Sequence, residues 1–76
     1  MAYDSTAVGA RLRGMRVEHG LSLNEVAEYL GLDPATIYNY ESGKTNIRYT
    51  DVWKLADLYG VGMDEMTGRL TREGKQ

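Results

Sequence analysis

The sequence predicts an all-α domain, a compact five-helix bundle whose second and third helices form a helix-turn-helix. Apolar residues recur at spacings of three and four, and no stretch alternates as a strand would. Gly20, Gly31, Gly43 and Gly60 each follow such a segment, where helices commonly end in a left-handed residue. Only Gly31, Leu32 and Asp33 lie between the second segment and the third, a link so short that the two helices must cross sharply.

The first helix is read from Val8, Leu12 and Met15, with Ser5 or Thr6 as its cap and Arg11 and Arg16 flanking the stripe. The second opens on Ser22 with Glu25 three residues on, a capping box in which each side chain satisfies an amide of the other's turn. Leu21 and Val26 form its hydrophobic staple, and Val26, Ala27 and Leu30 its inward face. The third has Asp33 as cap, Pro34 at the first helical position and Leu32 with Ile37 as staple. The fourth begins at Thr50 and turns Val52, Leu55, Ala56 and Tyr59 inward, with Trp53 and Leu58 off that stripe. A short fifth turn or helix is expected around Met63–Thr67. Residues 1–76 form a single domain, with a core over about 5–67 and a flexible polar tail at 71–76.

A chain of 76 residues can build one small core and no second domain. It has no cysteine, so neither disulfides nor thiolate zinc sites are available. Its first residues lack the apolar stretch of a signal peptide, and no run reaches the length of a membrane span, so a cytoplasmic location is expected. The net charge of −2 argues mildly against a polyanionic partner, but its distribution is uneven. Arg11, Arg13 and Arg16 cluster early, Lys44 and Arg48 flank a later loop, and many acids fall in the last third. Nothing pairs a nucleophile with a base or groups metal ligands, so an enzyme, a metal site and a cofactor are not expected. His19 has no evident partner and reads as a surface residue.

The third helix carries the functional signal. With Ile37 at the centre of the buried face and 100° per residue, Tyr40 and Glu41 fall inward, and Ala35, Tyr38, Asn39 and Ser42 gather outward. A merely solvated face usually carries Lys or Glu, and this one carries no charge. Such a flank suits the major groove of B-DNA, where Asn39 fits the edge of adenine and Ala35 or Tyr38 a thymine methyl. It suits equally an ordinary surface or a protein partner, and the face alone does not choose.

Wider context does. The run GLSLNEVAEYLGLDPATIYNYESGKTN resembles the helix-turn-helix of the XRE family, the phage-repressor-like (lambda-repressor-like) transcriptional regulators. Arg16, Gly20, Leu21, Ser22, Val26, Ala27, Gly31, Leu32, Ile37, Glu41, Gly43 and Lys44 stand in register with the family pattern, and KLADLYGVGMDEM looks like its last two helices. The likeness covers about Leu12 to Met66 and implies a sequence-specific, double-stranded-DNA-binding regulator, with repressor action and a homodimer expected. It places Pro34, Ala35, Thr36, Tyr38 and Asn39 at base-reading positions. It places Ser22, Lys44, Asn46 and Arg48 on phosphates, where Arg11 or Arg13 would join them. Arg16 and Glu41 match a structural salt bridge between the first and third helices.

Two departures stand out. Leu23 replaces a Gln that commonly contacts phosphate, which removes one positioning contact. Ile47 replaces a Pro, so a looser loop is expected. No small-molecule ligand is implied. A reading of a different class, an antitoxin-like or accessory protein-interaction module with weak or no DNA binding, is favoured by the acidic balance and by Leu23.

Overall fold

The computed structural model describes residues 4–62, 65 and 66. Among these the chain forms four helices, α1 (Ser5–Glu18), α2 (Leu23–Leu30), α3 (Pro34–Ser42) and α4 (Tyr49–Tyr59). This corrects the expected five-helix bundle. Of the anticipated fifth helix, Glu65 and Met66 are described, and their amides both return to the carbonyl of Gly62 (3.0 and 3.2 Å). That is one turn, closed by the Glu65 carboxylate accepting from the Gly62 amide at 3.2 Å. Met63, Asp64, Thr67 and the expected tail at 71–76 lie outside the described residues.

Helix starts follow local chemistry, with three differences from expectation, the smallest being that α4 begins at Tyr49 and not at Thr50. Asp4, not Ser5 or Thr6, caps α1, its carboxylate accepting from the amides of Thr6 and Ala7 (3.1 and 3.2 Å). An anion at this end also meets the positive pole of the helix. Ser5 is used elsewhere, its hydroxyl donating to the Gly43 carbonyl at 3.1 Å. The Ser22–Glu25 capping box is present in both directions, at 3.0 and 2.8 Å. Asp33 occupies the cap position of α3, yet its side chain makes no capping bond. Pro34, with its fixed φ, sets that helix start. Gly31, Gly43 and Gly60 end their helices at φ of 72°, 83° and 71°.

The core joins all four helices: Val8 and Leu12 of α1, Val26, Ala27 and Leu30 of α2, Ile37 and Tyr40 of α3, and Val52, Leu55, Ala56 and Tyr59 of α4. Met66 closes it from beyond α4. Ile47 is buried in it as well, so the loop after α3 is anchored by its side chain instead of loosened by the missing proline. Leu23 and Leu58 pack against the core, whereas Trp53 does not cover its edge and stands exposed beside Tyr49, four residues away on α4.

α1 and α3 meet backbone to backbone. A Cβ on Gly9 would fall 2.4 Å from the Glu41 carbonyl oxygen and 2.5 Å from that of Tyr40. Gly43 is equally constrained, since its Cβ would lie 2.8 Å from the Cα of Thr6.

These contacts predict opposite outcomes for two glycines of one helix. Gly9→Ala must force the helices apart and should lower unfolding free energy by about 2 kcal/mol, despite the better helix former. Gly14 has nothing within 4 Å of an added Cβ, so Gly14→Ala should raise stability by about 0.5–1 kcal/mol. Urea midpoints of the two variants check both.

Candidate nucleic-acid interface

Two side chains hold α3 from behind. Ile37 and Tyr40 are buried, and from the same side Glu41 meets Arg16 of α1. Arg16 Nε donates to Glu41 Oε2 at 2.7 Å and Nη2 to Oε1 at 3.1 Å, a two-pronged pair with side-chain exposures of 13% and 7%. Arg16 Nη1 donates in addition to the Leu21 carbonyl at 2.9 Å, so one guanidinium ties α1, α3 and the link before α2. The hydrogen bond to Glu41 raises the Arg16 pKa above its ordinary value, and partial burial opposes it. Arg16 is thereby committed inward.

With that side locked, the other is presented. Ala35 is exposed, Tyr38 is 58% exposed, and Pro34, Thr36 and Asn39 are half-buried. Below them the chain folds back on the end of α3: the amides of Lys44 and Thr45 both donate to the Asn39 carbonyl, at 3.0 and 3.2 Å. Lys44, Asn46 and Arg48 therefore stand on a loop fastened to α3 at one end and seated by Ile47 at the other, with all three side chains exposed.

The remaining candidates are placed less uniformly. Ser22 is exposed at the start of α2, where its oxygen accepts from the Glu25 amide and its hydroxyl hydrogen is still able to donate outward. Glu25 brings a carboxylate to the same turn, which weakens the spot for an anion. The Leu23 and Asn24 amides, in the first turn of α2, have no partner within the helix. Arg11 and Arg13 are both exposed, but two residues on a helix turn about 200°, so they cannot both flank one duplex.

Sequence reasoning passed over one residue here. Asp51 is 2% exposed, and its Oδ2 accepts from the Tyr40 hydroxyl at 2.9 Å and from Arg48 Nε at 3.2 Å. Asp51 is at a helix start but points inward, as its spacing of four and eight residues from Leu55 and Tyr59 signals. His19 likewise has partners: Nδ1 lies 2.8 Å from the Met15 carbonyl oxygen, and the ring is 4.9 Å from that of Tyr59.

Comparison with known proteins fits this geometry. A family model described as Helix-turn-helix matches residues 12–66. The chain is 37% identical over 57 residues to the cryptic phage CTXphi transcriptional repressor RstR of Vibrio cholerae, covering 75% of this chain and 51% of that protein. It is 39% identical over 49 residues to a protein of Saccharolobus islandicus named as an HTH-type transcriptional regulatory protein, covering 64% of this chain and 16% of the relative. The chain thus spans about half of one of these relatives and a smaller share of the other. Among solved structures it is similar to the restriction-modification controller protein C.AhdI from Aeromonas hydrophila, with TM-score 0.76 and 31% identity over 86% of this chain and 98% of that one. It is also similar to the S. venezulae BldD DNA-binding domain, with TM-score 0.73 and 31% identity over 87% and 99% of the two chains.

Two outcomes follow for stability. Glu41→Ala strands the Arg16 charge in a nearly enclosed position and should cost about 3 kcal/mol, near the lower bound for a buried pair, as read by chemical denaturation. Burial pushes the Tyr59 hydroxyl up to about 12, with the Glu41 charge adding and the Arg16 charge opposing. Burial and its bond to Asp51 raise Tyr40 as well. Below pH 10 folded and unfolded chains both keep these protons. Between about 10 and 12 only the folded chain does, so stability should fall across that window, by about 2 kcal/mol for Tyr59. Tyr59→Phe should remove that share of the slope in an alkaline denaturation series.

Proposed function

The chain belongs to the helix-turn-helix family, in its XRE, phage-repressor-like branch, and we propose that it is a transcriptional regulator that binds double-stranded DNA sequence-specifically and acts as a repressor. One observation carries the reading: α3 is locked along one side by Ile37, Tyr40 and Glu41 and offers an uncharged, hydrogen-bonding side to solvent. A rigid helix with that flank fits the major groove, where side-chain position decides which base is read.

Asn39, Tyr38, Ala35 and Thr36 discriminate bases, and Pro34 brings the helix start close to the groove. Affinity comes from Lys44, Asn46 and Arg48 on phosphates, with Ser22 and the first amides of α2 on the neighbouring strand. Only one of Arg11 and Arg13 is able to join them. Two copies bind as a homodimer to half-sites about one helical turn apart. The protein works in the cytoplasm, without cofactor, small-molecule ligand or catalysis.

The reading face has no Arg or Lys for guanine, so half-sites selected from a random duplex pool should be rich in A·T at the contacted positions. Guanine-centred half-sites would contradict this. On the selected duplex, Asn39→Ala should lower specificity with little change in salt dependence. Arg48→Ala should weaken binding to all sequences and flatten the salt slope by about 1. If both variants bind as the unaltered chain does, or if affinity is insensitive to salt as for a protein-interaction module, the proposal fails.

A further inference from the structure

Arg48 does not project from its loop as a free cation. It is the cap residue of α4, in extended conformation (φ −72°, ψ 149°), and its side chain bends back over the first turn to Asp51, three residues on. Only Nε is used for that bond, at 3.2 Å, while the side chain as a whole is 65% exposed. A guanidinium has five N–H donors in a planar fork, and engaging Nε leaves the four on the terminal nitrogens for a second anion. The same Asp51 oxygen that receives Nε receives the hydroxyl of Tyr40, from the buried side of α3. One buried oxygen therefore sets the direction of the loop cation relative to the reading helix.

We infer that Asp51 is a positioning residue of the DNA-contacting surface, holding Arg48 by Nε so that its terminal nitrogens meet a phosphate in fixed register with α3. The inference rests on the proposed DNA-binding function and deepens it. Immobilising a long side chain on binding is costly, and a cation already held loses less freedom when the phosphate arrives. An anion behind the cation also repels phosphate. Its charge is already shared between Arg48 Nε and the Tyr40 hydroxyl, which weakens that repulsion. Lysine suits both roles less well, since its one nitrogen would have to lie within hydrogen-bond reach of Asp51 and of the phosphate at once, without the planar fork of a guanidinium.

The test measures affinity for the selected duplex, across a salt series, with Arg48→Ala, Asp51→Asn and the double variant. Asp51→Asn should weaken binding about three- to tenfold, and the double variant should bind no more weakly than Arg48→Ala alone. Asp51→Asn combined with Asn39→Ala should instead show additive losses. In the free protein the Arg48 Nε–H resonance should exchange slowly with water and lose that protection in Asp51→Asn. A purely structural Asp51 would give independent, additive losses with Arg48, and that result, or unchanged affinity in Asp51→Asn, overturns the inference. If circular dichroism shows Asp51→Asn unfolded, the Arg48 Nε–H of the unaltered chain decides: protection from exchange supports positioning, and exchange at the rate of a free arginine side chain overturns it. Should the unaltered chain bind duplex without salt dependence, the parent reading falls and takes the inference with it. Salt-dependent binding with an uncoupled Asp51 sinks the inference alone.

Discussion

The closeness of α1 and α3 is the constraint on which the rest of the structure depends. At Gly9 the backbone of one helix lies against the carbonyl oxygens of Tyr40 and Glu41 in the other, leaving no space for a methyl group. Close backbone approach brings Arg16 within reach of Glu41, brings Ser5 to the Gly43 carbonyl, and seats Gly43 over Thr6. Interiors are packed like crystals and transmit displacement, so a shift at Gly9 would move the end of α3 and the loop that follows it.

Polar side chains then refine what packing begins. The Arg16–Glu41 pair and the Tyr40–Asp51–Arg48 chain grip α3 near its C-terminal end, the first from α1 and the second from α4. Neither leaves a buried polar atom without a partner among the described residues. Buried ion pairs contribute little net stability compared with apolar packing, but breaking one is costly. Their effect here is to make one orientation of α3 preferred over nearby ones that hydrophobic contact alone would allow.

Much of this was legible in the sequence where a local rule sufficed. Glycine stops, the Ser22–Glu25 box and the inward stripes of α2 and α4 each depend on a few neighbouring residues, and each appears where expected. The burial of Ile37 and Tyr40, and with it the exposed flank at Ala35 and Tyr38, followed from helical geometry alone. What could not be read depends on residues distant in the chain. Gly9 looks like a weak helix former until Glu41 is seen against it, and Asp51 looks like a solvated acid until Tyr40 and Arg48 meet it. Ile47 looked like the loss of a proline and proved to be a core residue. The cap of α1 went to Asp4 because Ser5 had a tertiary partner 38 positions away. Where a fifth helix was expected the described residues form one turn, and a single turn and a short helix leave the same trace in apolar spacing.

Holding the fold and the proposed reading of bases fall to different residues of the same nine-residue helix. Ile37, Tyr40 and Glu41 answer to the fold, while Ala35 and Tyr38 lie on the surface and contribute little to the packing that keeps α3 in place. Substitutions on the outer flank are therefore thermodynamically cheap, and under the proposed function a lineage carrying this scaffold can drift from one operator to another without passing through unfolded intermediates. Divergence among its descendants should accumulate on that strip of surface and spare the carbonyls facing Gly9.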